Sequence, residues 1–325
     1  MHRDQDEYWE QVWYETAHME RVLAEIRAHF HDYFARFVAT DRGKSPAASD
    51  LTRLAEKLGT KTQSRRRRVD PKARYQSILM SSVEEYKEKR NKYLTILDAD
   101  KLEEFADDPP YFKNPVLKNQ CPIIHSTLQN VTAKELDRFR QAFNLADPQD
   151  LLDAVTNIVT FAAEYCDHPP DNRIYSKLTK YEDLCFRELD SEDYGVQSVI
   201  GGGIRTHFLY RMHPDRFPYR SREAIWALWY LTEKKTLGSK YGSEFLMIDA
   251  QNNNTQNNYF YPYDLFGYYA FNIMYLLKEE ARKLDLPYPD KYRFVVLDSF
   301  LSFVAREHHE EIAELKRKAD DEHYS

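Results

Sequence analysis

From Tyr8 to Thr40 the apolar residues recur in two rows with a spacing of seven. One is Trp9, Leu23, Phe30 and Phe37, with Thr16 as its gap; the other is Val12, Met19, Ile26 and Tyr33. Both rows fall on one face of a helix, which predicts a long amphipathic helix here. Its heptads could serve as a coiled-coil seam, but side chains this bulky fit an intramolecular bundle at least as well. A homodimer or a partner protein docked on this helix stays open as the alternative.

Ala39 to Asp70 is polar and rich in Ser, Lys and Arg, which predicts a linker with one short helix near Leu51 to Leu58. Asp70 and Pro71 then read as the cap and first turn of a second helix running to Leu97, so that the two long helices form a hairpin. Residues 98–130 hold Asp107-Asp108-Pro109-Pro110, Asn114-Pro115 and Cys121-Pro122, and read as an irregular connector. Thr132 with Glu135 forms a capping-box pattern for a helix to Phe143, and Asp147-Pro148 starts another whose apolar face is Leu151, Leu152, Val155, Ile158, Val159 and Ala162. Further helices are predicted over Ser176 to Leu189, Ile204 to Met212, Ser221 to Lys234, Asp264 to Leu284 and Asp290 to Lys318, with a short strand at Glu244 to Asp249. Asp264 to Leu284 is apolar nearly all round and is expected to be the central buried helix.

The expected fold is therefore mainly α: a multi-helix bundle with an N-terminal long-helix hairpin and basic linker (1–97), a connector (98–130) and a C-terminal globular helical domain (131–325). Composition agrees, since 325 residues with 24 Tyr and 18 Phe contain only 9 Gly and 14 Pro. Three scattered cysteines, Cys121, Cys166 and Cys185, do not make a disulfide framework or a zinc module, and the acidic N-terminus has no apolar signal region; the cytoplasm is the expected location. The most apolar run, Phe266 to Leu277, is shorter than the roughly 20 residues that span a bilayer, so no membrane segment is expected.

The net charge of −7 repels polyanions, so any nucleic-acid surface has to be a local patch. Lys61 to Lys92 is such a patch, with eleven Lys and Arg against four Asp and Glu. Its densest part, Arg65, Arg66, Arg67, Arg68, Lys72 and Arg74, would release counterions from phosphates and bind in a salt-dependent way. The bland alternative is a solvated tether.

Three of the nine glycines, Gly201, Gly202 and Gly203, open a predicted helix, where bare backbone lets N–H groups approach an anion. Arg205, Arg211, Arg216, Arg220 and Arg222 surround them, and guanidinium groups pair well with phosphate. The bland alternatives are tight helix packing and ion pairing with Asp215 and Glu223. Val199, Gly201, Gly203 and Thr206 stand in a hydrophobic-x-Gly-x-Gly-x-x-Thr pattern, followed by the Pro-containing stretch HPDRFPYRSREAIWAL. Over these thirty or so residues the chain resembles the helix-hairpin-helix element of the DNA glycosylase superfamily. The resemblance implies phosphate binding by hairpin amides at Gly201, Gly203 and Thr206. The catalytic aspartate of those glycosylases would fall at or near Arg220 or Ser221, and neither is acidic, which implies DNA binding without glycosidic-bond cleavage.

Gln251 to Asn258, followed by Tyr259, Phe260, Tyr261 and Tyr263, combines amides that read base edges with rings that stack on bases, but the pattern more often marks a surface turn whose trailing aromatics are core, and that reading is preferred. For a metal nuclease, Glu244 and Asp249 would point to opposite faces of a strand and the following lysine is missing. No Walker loop, dinucleotide fingerprint, nucleophile elbow or four-ligand zinc spacing occurs, so no cofactor or metal is expected. The sequence thus favours a cytoplasmic nucleic-acid-binding protein with DNA or RNA as partner, a non-catalytic binding or targeting component of a processing or defence system. Two alternatives remain open: a metal-dependent phosphodiesterase using Glu244, Asp249 or Glu223, and a helical protein-interaction scaffold.

Overall fold

A computed structural model describes residues 11–40, 70–133, 136–239, 242–246 and 261–322. The first long helix, α1 (Thr16–Ala39), buries Met19, Leu23, Ile26, Phe30, Tyr33 and Phe37, so the predicted rows face the interior of the same chain. Phe30 lies 5.3 Å from Phe300 and Phe37 5.4 Å from Phe303, ring to ring. Helix α2 (Pro71–Ile96) starts as predicted: Asp70 accepts the Lys72 N–H at 3.1 Å, and Pro71 occupies the first turn, where a missing N–H costs nothing. α1 and α2 pack on each other, with Tyr75 edge-on to Phe34 and the Arg74 guanidinium donating to the carbonyl of Ala39 at 2.8 Å.

The predicted irregular connector is instead a chain of helical pieces: α3 (Ala99–Glu104), a turn at Pro109–Tyr111, a π-helical segment at Phe112–Lys118 and α4 (Pro122–Gln129). Pro109 and Pro122 sit at first-turn positions, so they start helices rather than ending them. The capping box of Thr132 and Glu135 falls in part outside the described residues. Then come α5 (Asp137–Leu145) and α6 (Pro148–Asp167), the latter capped by Asp147 on the Gln149 N–H and burying its predicted apolar face.

No helix forms over Ser176 to Leu189; the chain makes 3-10 turns at Asn172–Tyr175, Tyr181–Leu184, Arg187–Asp190 and Glu192–Tyr194. The reason lies in the spacing. On a helix Leu184 would face away from Leu178, Phe186 and Leu189, whereas the irregular path buries all four. After a single bridge between Val196 and Ile200 come α7 (Gly202–Met212) and α8 (Arg222–Leu231), which Ser221 caps through the Ala224 N–H. Glu244 and Phe245, read as the start of a strand, lie in a turn, and residues 247–249 fall outside the described residues. Among the described residues there is no strand.

Helix α9 (Tyr263–Lys283) is buried over its first three turns. The centre, however, is α10 (Arg293–Glu307), which packs against α1, α2, α8 and α9. The single C-terminal helix expected over Asp290 to Lys318 breaks at His308, whose ring stacks on Tyr230 and meets the Tyr33 hydroxyl at 2.7 Å; α11 (His309–Glu322) follows. One continuous apolar cluster draws on buried residues from Trp13 to Ile312. Among the described residues no helix is long and apolar enough to cross a membrane.

Candidate functional site

Helix α7 begins at Gly201, an exposed residue in extended conformation, and no side chain caps it. The three glycines differ in what surrounds them. A Cβ on Gly201 would meet nothing within 4 Å, and one on Gly203 would be in ordinary contact with the Arg220 carbonyl. At Gly202 a Cβ would collide with the Arg220 guanidinium, so only this glycine is demanded by packing. The first-turn N–H groups of α7 thus lie between open space in front of Gly201 and a buried cation behind Gly202.

That cation belongs to a network formed where the starts of α7, α8 and α9 converge. Arg205 is 8% exposed and donates to Asp190 at 2.7 Å. The other Asp190 oxygen accepts the Tyr263 N–H at 2.8 Å, at the first residue of α9. Thr206 donates to the Gly202 carbonyl at 2.6 Å and accepts the Arg220 N–H at 3.3 Å, which ties the glycine turn to the segment before α8. Burial pushes Arg220 down to about 10 and also lowers Arg205; Asp190 offsets the effect at each.

Two further acids adjoin the network. Asp264 accepts from the Tyr14 hydroxyl at 3.0 Å and from the Leu265 N–H, and burial raises its carboxyl to about 6. Glu244 is sealed in the core against His18 at 3.0 Å and the Tyr261 hydroxyl at 3.3 Å, and burial raises its carboxyl as well. His18 Nδ1 faces the Leu237 carbonyl at 3.1 Å, an acceptor only, so Nδ1 donates there and Nε2 is the atom turned to Glu244. Glu244 is therefore a buried hydrogen-bond partner of His18 and Tyr261 rather than a carboxylate presented to a substrate. Asp249 lies outside the described residues, and Glu223 is exposed on α8.

The structure brings together Gly201, Gly202, Gly203, Arg205, Thr206 and Arg220. Arg211 stands at the other end of α7, roughly 14 Å along the axis, over the rings of Tyr86, Tyr93 and Tyr210. Arg216 pairs with Asp215 at 3.3 Å and donates to the Tyr175 hydroxyl, while Arg222 begins α8, half-buried. Lys72 pairs with Asp285 at 3.3 Å and Arg74 holds the end of α1, so both have structural partners. Arg65, Arg66, Arg67 and Arg68 lie outside the described residues, as do Gln251 to Asn258, Tyr259 and Phe260. Tyr261 and Tyr263 are core residues, as the simpler reading of this stretch expects, and are not open to a base.

Asp190, Tyr14, His18 and Asp264 escaped sequence reasoning. Asp190 lies just past the helix expected over Ser176 to Leu189, in the acidic stretch RELDSEDY, where nothing local marks its partners, and the other three partner residues up to 250 positions away. Among the described residues Glu25, His29 and Glu233 converge closely enough for a metal, but the Lys235 ammonium already bridges the two carboxylates at 2.8 Å and 3.1 Å. Comparison of the chain with protein-family models, curated proteins and solved structures finds no match.

Proposed function

We propose that this chain is a nucleic-acid-binding protein, a non-catalytic binding or targeting component, which seats a backbone phosphate at the start of α7. One observation carries the reading: the uncapped N-terminus of α7 opens at Gly201, where a Cβ would meet nothing within 4 Å among the described residues, with the Arg220 guanidinium behind Gly202 and Arg205 in the same turn. Such a terminus attracts anions through its N–H groups and the helix dipole. The basic run Arg65 to Arg68 would add a second, nonspecific contact. The absence of an acid at Arg220 and Ser221, and the burial of Glu244 against His18, favour binding over hydrolysis.

The test is fluorescence anisotropy of labelled single-stranded DNA, duplex DNA and RNA over a series of salt concentrations. Binding should weaken linearly on a log–log plot, and replacing Arg65 to Arg68 by alanine should flatten the slope. Gly201→Asp, which puts a carboxylate into the open space, should reduce affinity without lowering the unfolding midpoint. Absence of binding, or binding indifferent to salt and to Gly201→Asp, would sink this reading.

A further inference from the structure

Tyr175 ends the 3-10 turn Asn172–Tyr175 and gathers two arginines from distant parts of the chain. Its inner face stacks on the buried Phe271 of α9, with ring centres 5.8 Å apart, which leaves the other face and the hydroxyl edge for the cations. The Arg293 guanidinium carbon lies 4.1 Å from the ring centre, and Arg216, whose own carbon is 5.2 Å from it, donates to the hydroxyl at 2.8 Å. A backbone bond draws the same two segments together, since the Phe294 N–H donates to the Pro214 carbonyl at 3.1 Å. The two guanidinium groups therefore stand no further apart than those two ring distances combined, close enough for one anion to feel both.

Arg293 stands where a cation is disfavoured. It is the first residue of α10, where the helix dipole favours an acid, and that first turn holds none. The nearest acid in the chain, Asp290, turns its carboxylate to Lys278 at 2.8 Å and offers Arg293 Nε only its carbonyl, also at 2.8 Å. Arg216 has Asp215, 3.3 Å from its Nε. Two guanidinium groups are thus matched by one carboxylate, which leaves one positive charge over. Both Nη atoms of Arg293 and Nη2 of Arg216 have no acceptor among the described residues, and none of the three is a buried atom, so they reach solvent. Stacking on Tyr175 holds the guanidinium groups in place and offsets part of their repulsion.

We propose that Arg216 and Arg293 clamp one phosphodiester group of a nucleic-acid strand, as a second contact site; this rests on the nucleic-acid reading above. A phosphodiester carries the single negative charge that the pair lacks, and its free oxygens accept from planar guanidinium forks. The loop that bears Arg216 leaves α7 at the end opposite the glycines, so this phosphate is not the one seated at Gly201. A contact of this kind fixes the path of a strand without reading its sequence.

Arg293→Gln in the intact chain, read in salt titrations of labelled duplex DNA and single strands, tests this. Loss of one phosphate contact should lower the slope of log affinity against log salt by about 0.9 on a duplex and about 0.7 on a single strand. Arg216→Gln should lower it too, which keeps the test decisive if one variant loses its fold. Arg293→Lys keeps the charge and should keep the slope, while affinity falls because an ammonium cannot fork; a residue that only supported the fold would not show that split. Arg282→Gln, at an exposed arginine paired with Glu279 on α9, removes the same charge elsewhere and should leave the slope unchanged. If Arg293→Gln leaves the slope unchanged, or Arg282→Gln lowers it as much, the proposal fails. The two contacts are separable. A silent Gly201→Asp beside a lowered slope in Arg293→Gln overturns the seat at α7 and keeps this one, the converse overturns this one alone, and absence of binding by the wild type overturns both.

Discussion

The Arg220 guanidinium lies against the backbone of Gly202 so closely that no side chain other than hydrogen fits between them. Arg220 is buried, so a methyl group at Gly202 has to displace a guanidinium that has little room to move.

The three glycines should accordingly respond differently to alanine. Gly202→Ala should destabilise the fold by about 1–3 kcal/mol through overpacking. Gly203→Ala, inside the helix with room for a methyl group, should be neutral or stabilising by up to about 1 kcal/mol. Urea midpoints of the two variants decide this; equal midpoints would mean that the Arg220 contact exerts no constraint.

Asp190→Ala removes the acceptor for both Arg205 and the first N–H of α9. Loss of one partner of a buried pair costs about 3–5 kcal/mol. Asp190 is 34% exposed, so water screens part of that and a loss of about 2–3 kcal/mol is expected. If the loss comes from the pair, Asp190→Ala should cost little more in an Arg205→Met background, as a double-mutant cycle would show.

Asp264 makes stability depend on pH in an uncommon direction for an aspartate. Its carboxyl titrates near 6 in the folded chain, above the ordinary aspartate value, so the folded state holds its proton more tightly than the unfolded state does. The contribution is fully present below the unfolded pKa and is lost as pH rises through about 6, by on the order of 3 kcal/mol. Relative to Asp264→Asn, the wild type should therefore lose stability between about pH 4 and pH 6. Unfolding free energies of both proteins that stay parallel across this window would contradict the assignment.

Glu244→Ala should cost about 3 kcal/mol or more, because it strands His18 in the core, whereas Glu244→Gln keeps a hydrogen-bonding group and should cost clearly less. Chemical denaturation of both variants gives the ordering. An alanine variant as stable as the wild type would show that the His18 contact contributes nothing to stability.

Much of the helical framework was legible in the chain because it depends on neighbours within one or two turns. The rows of α1, the Asp70-Pro71 and Asp147-Pro148 starts and the apolar face of α6 are all local signals, and local geometry satisfies them. Where the reading failed, the deciding contact was distant. Leu184 abandons a helical path to reach the core, His308 breaks the last helix against Tyr33 and Tyr230, and the prolines of 98–130 start short helices because later segments pack on them.

Residue types and spacing were enough to determine that the chain is mainly helical, that its glycines cluster at one helix start and that arginines surround them. Only the folded arrangement decided which arginines share that helix start, because charge partners are chosen by proximity in space: Arg205 is matched by an aspartate fifteen residues earlier, and Arg211 is carried to the other end of α7, over three tyrosine rings. Burial is likewise a property of the whole core, which is why nothing next to Glu244 and Asp264 in the chain announces that their carboxyl groups are enclosed in the protein.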